Sequence, residues 1–484
     1  MEENKITINN RFLARIIIEA ETPLSVKSGE KSVTTDAVVI TDVNGMPYIP
    51  GSSIAGVIRH AWKDMKGEDG GNDLFGCQNG DNGLGSRIIF SEARILNSEG
   101  KVMDGMLPPD ETSDDEVLKH YASLPIRQHV RISHYGVTDG TGKFDEQVVF
   151  TGTRFCFEIE MLGDSACETS VFSSLLGILN HASFRLGSGT RSGFGEIKVV
   201  SIQQASMPVN DEHYLDKSSN LAISGDWECW SAPEKNHGEK EVRKGWTTYS
   251  MTLTPDNFFL FGSGFGDDAA DMTPVTEKRV SWENNPATIE EHVYLLPASS
   301  IKGAIAHRVA YHYNRLRGNF ADEFIYNDKK NKEGKTMSDY VGANNAAVRL
   351  LFGYEGKNGK GKIRGNVIFS DLYLNDKEGN EKVLNHVAID RFTGGQMEGA
   401  LFSEKTIYGN GASLELDLLV NEAEVKRLAD ELYKNDNEVF PNTKAALNAA
   451  LDDLCDGMLP LGGGVNRGNG VFHGKLTIGK QKEA

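Results

Sequence analysis

Ile49-Pro50-Gly51-Ser52-Ser53-Ile54-Ala55-Gly56-Val57-Ile58-Arg59-His60 reads as a turn running straight into a helix. Pro50-Gly51 is a turn dipeptide. Ser52 and Ser53 are residue types that cap helices, because a hydroxyl accepts from the free N–H groups of a first turn. Apolar residues follow at Ile54, Val57, Ile58, Ala61, Trp62 and Met65, a spacing of three and four that lines one helical face. Arg59, His60 and Lys63 fall off that stripe. A capped helix start with basic residues in its first turns suits a phosphate, since amides and helix dipole both favour an anion there. Taken singly, the stretch also fits an ordinary core helix with ordinary caps. It is not single. Leu296-Pro297-Ala298-Ser299-Ser300-Ile301-Lys302-Gly303-Ala304-Ile305-Ala306-His307-Arg308 repeats it nearly letter for letter, with Lys302, His307 and Arg308 as its basic residues.

Other landmarks recur in the same order. Leu74-Phe75-Gly76 returns as Leu351-Phe352-Gly353, and Ile88-Ile89-Phe90-Ser91-Glu92 as Val367-Ile368-Phe369-Ser370-Asp371. His129-Val130-Arg131-Ile132-Ser133-His134-Tyr135 returns as His386-Val387-Ala388-Ile389-Asp390-Arg391-Phe392. The glycine-rich run Leu186 to Gly195 returns as Leu461 to Gly470. So many landmarks in one order mark a tandem duplication. The expected units are 1–205 and 248–484, joined by a polar linker at 206–247 without apolar period. Each unit reads strand, loop, helix, strand, hairpin, strand, helix, glycine-rich loop, strand. That order predicts an α+β fold with two tandem ferredoxin-like β-α-β-β-α-β cores carrying insertions.

The bulk properties exclude several classes. No run of 18 or more apolar residues is present, so no membrane partner is expected. The polar start Met1-Glu2-Glu3-Asn4-Lys5 lacks the apolar core of a secretory signal. Cys77, Cys156, Cys167, Cys229 and Cys455 are scattered without a Cys-x-x-Cys pair, which argues against a disulfide framework or a thiolate zinc site. A cytoplasmic protein is expected. The net charge of −18 counts against nucleic acid unless a local basic groove sits among acidic outer faces.

Candidate site residues follow from what recurs. Gly187, Gly189 and Gly193 flank Arg191, and Gly462, Gly464 and Gly468 flank Arg467. Glycines let backbone N–H groups approach an anion and arginine adds charge. Neither loop carries the Gly-Lys-Ser or Gly-Lys-Thr of a nucleotide triphosphatase, and both lead into strands, so a nucleic-acid phosphate fits better. Asp36 and Asp271 lie in matching loops before the two helices, with Asp42, Asp267 and Asp268 as rivals by proximity. Beside a phosphodiester a carboxylate can take the proton of a 2′-hydroxyl or hold Mg²⁺. His129 and His386 match between halves whereas His134 is replaced by Arg391, which fits a hairpin base better than acid–base catalysis.

Together these motifs resemble the RAMP superfamily of CRISPR proteins, most closely the backbone subunit of type III (Csm/Cmr-like) RNA-guided effector complexes in a tandem double-domain form as in type III-D-like systems. The resemblance implies domains stacked along a guide CRISPR RNA, with the Pro-x-Ser-Ser helices and glycine-rich loops on its backbone. Ser52, Ser53, Arg59, His60, Arg131, Ser299, Ser300, Lys302, His307, Arg308 and Arg391 would join the loop glycines and arginines in binding RNA. β-Hairpin thumbs after His129 and His386 would wedge the guide–target duplex. Asp36 and Asp271 would cleave single-stranded target RNA with Mg²⁺ as the divalent cation, without an organic cofactor. Implied partners are further backbone subunits, a large polymerase-like subunit and a guide-end-capping subunit. The alternatives are a guide-binding scaffold that does not cut and a guide-processing endoribonuclease. In the second half Gly51 becomes Ala298 and Arg59 becomes Ala306, and the stretch from Asp271 to Pro297 is longer than that from Asp36 to Pro50.

Overall fold

The computed structural model describes residues 8–32, 35–67, 71–79, 82–212, 230–235, 240–322, 334–356, 361–374, 380–409 and 411–479. The first strand, β1 (Asn10–Ala20), buries alternate residues Phe12, Ala14, Ile16 and Ile18. Successive strand side chains face opposite ways, so Arg11, Arg15 and Glu19 share the other face. There Arg11 pairs with Glu160, Arg15 with Glu158, and Glu19 with Arg154. α1 (Gly51–Lys66) buries Ile54, Ile58 and Trp62, which lie on the expected stripe. Then follow β2 (Ile88–Phe90), the hairpin strands β3 (Ile126–Ile132) and β4 (Thr138–Gln147), β5 (Arg154–Gly163), α2 (Thr169–Gly177) and β6 (Ile197–Pro208). The main sheet runs β6-β1-β5-β2, each neighbour antiparallel.

The second half repeats the plan. It comprises β7 (Trp246–Pro255), an inserted hairpin β8 (Thr276–Ser281) and β9 (Thr288–Leu296), α3 (Ala298–Leu316) and α4 (Ala346–Phe352). These are followed by β10 (Val367–Phe369), the hairpin strands β11 (Glu381–His386) and β12 (Phe402–Tyr408), β13 (Leu414–Asn421), α5 (Glu422–Leu432), α6 (Val439–Cys455) and β14 (Phe472–Ile478). Its sheet runs β10-β13-β7-β14, again antiparallel throughout. In both halves the last core strand flanks the first, and the third separates the first from the second. Each sheet has its own apolar core.

The extra length before Pro297 is the β8–β9 hairpin, and it packs against the other half. Val280 and Ala287 are buried in the first core. The Trp282 Nε1 donates to the Gly152 carbonyl at 2.8 Å, and Arg154 lies over the Trp282 ring at 3.9 Å. Gly152 has φ +82°, and a Cβ there would stand 2.0 Å from the Val280 carbonyl oxygen, so only glycine fits the contact.

The linker expectation needs correction. β6 continues to Pro208 with Met207 buried, Glu234 and Lys235 pair along its edge, and Lys240 bridges Glu196 and Glu21. β7 already begins at Trp246. Edge pairing uses backbone groups, so a polar composition does not reveal it. Residues 213–229 and 236–239 lie outside the described residues.

Candidate nucleic-acid interface

Two hairpins of matching construction stand beside the two sheets. In β3–β4 His129 lies directly opposite Phe144, and in β11–β12 His386 lies directly opposite Phe402. The rings stack at 4.7 Å and 4.8 Å. Two residues beyond each phenylalanine is a buried glutamate that meets the same histidine: Glu146 Oε1 is 3.2 Å from His129 Nε2, and Glu404 Oε1 is 3.0 Å from His386 Nε2. Burial alone would raise the Glu146 pKa, but the neighbouring His129 and Lys27 outweigh it and hold it at about 2. The matched histidines therefore pin hairpin bases. His134 is at the first tip, against the Tyr135 ring at 3.9 Å. Both tips expose apolar residues, Tyr135 and Val137 on one, Ile389, Phe392 and Met397 on the other. Arg131 and Arg391 are exposed on the same hairpins.

Asp36 and Asp271 occupy equivalent places at these hairpins. Each faces the residue between the stacking phenylalanine and the buried glutamate. Asp36 N–H donates to Asp145 Oδ1 at 2.8 Å, and Asp145 N–H to Asp36 Oδ2 at 3.4 Å. Asp271 N–H donates to Ser403 Oγ at 3.1 Å, and Ser403 N–H to Asp271 Oδ2 at 2.7 Å. The Ser403 hydroxyl also reaches Asp271 Oδ2, at 2.9 Å. Bonds from the Ser403 amide and hydroxyl hold the Asp271 carboxyl below the ordinary range. Both aspartates are exposed. The rivals have other duties. Asp42 accepts from the amides of Asn44 and Met46 in a turn, each at 2.9 Å, and Asp267 pairs with Lys405 at 2.6 Å. Asp268 is exposed in the same loop as Asp267.

The helix starts differ from expectation. α1 begins at Gly51 and α3 at Ala298, with Pro50 and Pro297 at the N-cap positions and no side-chain cap. Ser52, Ser53, Ser299 and Ser300 therefore lie inside the first turns and cap nothing. The reason is that proline sets the extended entry and takes the N-cap position itself, so the serines fall two and three residues too late. At α3 a carboxylate takes the place proposed for phosphate: Asp371 Oδ1 accepts from Ala298 N–H at 2.7 Å.

The glycine-rich loops are also more self-satisfied than expected. Ser188 N–H donates to Ser25 O and Gly195 N–H to Pro23 O, while Gly463 donates to Leu260 O and Gly470 to Phe258 O. Buried loop amides must find partners, and here neighbouring strands supply them. Gly187, Gly189, Gly193, Gly462, Gly464 and Gly468 all have positive φ. At Gly193 a Cβ would come 2.6 Å from both the Ala298 methyl and Asp371 Oδ1. The first half's loop thus seats against the second half's helix start, where Ala298 fills the contact.

That seat gathers cations from both halves. Arg191 Nε donates to the Gly365 carbonyl at 2.8 Å, and its buried Nη1 has no hydrogen-bond partner. Burial, then Arg364 and Arg185, hold the Arg191 pKa down at about 9. Burial and Arg191 lower that of Lys302. Cations that depress one another favour an anion beside them. Other expected contacts are committed elsewhere: Arg59 donates to Gly76 O at 2.9 Å, Arg467 pairs with Glu404 at 2.6 Å, Arg308 pairs with Asp453, and His307 Nε2 lies 3.2 Å from Ile132 O. His60 is exposed on α1.

A family model for the RAMP superfamily matches residues 17–198 and 253–473. The chain belongs to the RAMP superfamily. The two matched regions fall one on each core, so this is a tandem double-domain RAMP protein. RAMP proteins typically bind RNA in CRISPR systems. No curated protein matches the chain. Among the described residues no helix is long and apolar enough to cross a membrane. Three features of these RAMP domains escaped the reading of the sequence: Asp145 and Ser403 at the loop aspartates, the buried glutamates, and Arg364 at the seam. A signal for the first two was present, in Phe144-Asp145-Glu146 and Phe402-Ser403-Glu404.

Proposed function

We propose that the chain is a backbone subunit of a type III CRISPR effector complex, built from two ferredoxin-like RAMP domains, that binds guide RNA and cleaves complementary target RNA once per domain. The single observation behind this reading is the repeated pairing of an exposed loop aspartate with the base of an apolar-tipped hairpin. In this reading a hairpin inserted into a guide–target duplex splays the target strand, and the aspartate beside the hairpin base would face the splayed strand. Arg191, Lys302 and Arg364 at the seam are suited to a guide phosphate that both domains share.

In the proposed reaction the target's 2′-hydroxyl attacks the adjacent phosphorus. A 2′-O–P bond forms, the P–O5′ bond breaks with its electron pair going to O5′, Asp36 or Asp271 accepts the hydroxyl proton, and the leaving 5′-oxygen takes a proton from water. Mg²⁺ usually takes only one or two protein carboxylates and completes its shell with phosphates and water. Each loop offers such a sparse set, the exposed carboxylate of Asp36 with Asp145 beside it and the exposed carboxylate of Asp271. Held by Asp36 and by Asp271, Mg²⁺ would neutralise charge on the phosphate oxygens.

The test uses assembled complex, complementary RNA and Mg²⁺. Asp36→Ala and Asp271→Ala should each delete one cut and spare target binding. Survival of every cut in both variants would leave a guide-binding scaffold.

A further inference from the structure

The bonds at the two loop aspartates obey one rule although the side chains differ. In each half the hairpin residue between phenylalanine and glutamate accepts from the aspartate's own amide through its side chain, Asp145 Oδ1 at 2.8 Å and Ser403 Oγ at 3.1 Å. In each half that residue's amide donates back to the aspartate's Oδ2, at 3.4 Å and 2.7 Å. A carboxylate and a hydroxyl are chemically unlike. What they share is an oxygen acceptor on a short stem, able to reach the backbone of the loop opposite. The next residue on the strand, Glu146 or Glu404, is buried and bound to the pinned histidine, so the accepting residue cannot slide along the hairpin.

We propose that Asp145 and Ser403 are positioning residues, each fastening its cleavage carboxylate to the hairpin so that the distorted target and the aspartate keep one geometry. This rests on the cleavage reading above. The role belongs to the acceptor oxygen, not to charge. At Asp145 the carboxylate is therefore replaceable by an amide oxygen, and at Ser403 the hydroxyl by that of threonine.

The experiment measures the rate of each cut in assembled complex with guide and complementary RNA, alongside amide exchange at Asp36 and Asp271. Asp145→Ala should slow the first cut about tenfold, as expected when one hydrogen bond that holds a reacting group is removed, and speed exchange at Asp36. Asp145→Asn should restore both. Ser403→Ala should do the same to the second cut and to exchange at Asp271, and Ser403→Thr should restore both. If Asp145→Asn behaves as Asp145→Ala, charge is what matters and the proposal falls. It falls also if neither alanine variant changes exchange at the facing aspartate. Asp36→Ala and Asp271→Ala run in parallel separate the two readings: if they delete cuts while Asp145→Ala and Ser403→Ala leave rates unchanged, only the positioning role is lost. If they delete none, the cleavage reading fails while the exchange measurement still reports on the fastening.

Discussion

Replacing Arg127 by methionine should loosen the seam between the halves, and by an amount that depends on pH. Arg127 leaves β3 and enters the second half, where its Nη2 bonds Glu277 Oε2 at 2.7 Å and its Nη1 lies 3.0 Å from Asp371 Oδ2. Its Nε also meets Glu277 Oε1. The three side chains are 6%, 7% and 0% exposed. Methionine keeps the length but leaves two buried carboxylates without their cation. Breaking a buried pair from one side costs about 3–5 kcal/mol. For units of this size that is roughly 6–20 °C in the unfolding midpoint. The sign with pH follows from Asp371, whose pKa is already raised by burial and is held back by Arg127. Without Arg127 it rises further, so the folded chain takes up a proton that the unfolded chain releases. Stability then falls as pH rises through the carboxylate range and is regained as pH falls. Urea and thermal unfolding at pH 5 and pH 8 measure this. A deficit near zero, or one that is the same at both values, would refute the reasoning.

Gly152→Ala forces a side chain onto the Val280 carbonyl at positive φ and should cost roughly 2–5 kcal/mol, with faster amide exchange in β8–β9 as the local readout. Alanine at both Arg191 and Lys302 should flatten the salt dependence of guide-RNA affinity, the slope of log affinity against log salt falling by about 0.7 for each phosphate no longer neutralised, while an equal change at the paired Arg427 should not. His181 is pushed down to about 4 by burial and by Arg243, from 6.5. The folded chain thus refuses a proton that the unfolded chain accepts, so this contribution is present above 6.5 and lost as pH falls toward 4. Unfolding midpoints across that window should depend less on pH in His181→Asn.

The features legible in advance were those written in local periodicity and in repetition. The stripe Ile54, Ile58 and Trp62 predicts a helix because three- and four-residue spacing admits no other buried face. The duplicated landmarks predict two similar sheets, and both sheets have the same strand order. The equivalence of Asp36 and Asp271 was legible only in outline, because β8–β9 lengthens one loop; the bonds to Asp145 and Ser403 make it plain. Composition does not show that each proline itself takes the N-cap position, two residues before the first serine. The cation seat could not be read at all, since Arg191 and Lys302 meet through packing of one half on the other. Residues so far apart in sequence leave no periodic trace of such a meeting.

The β8–β9 hairpin bears on the order in which the chain can fold as it is made. Domains ordinarily fold as units from the N-terminus while synthesis continues. Here Val280 and Ala287 belong to the core that Phe12, Ile16 and Phe157 begin. The nascent first half has an open side around Gly152 until the ribosome has delivered that hairpin. Its final closure therefore waits on residues of its twin, and a chain cut short at the end of the first repeat would leave the synthetic machinery with apolar surface still uncovered.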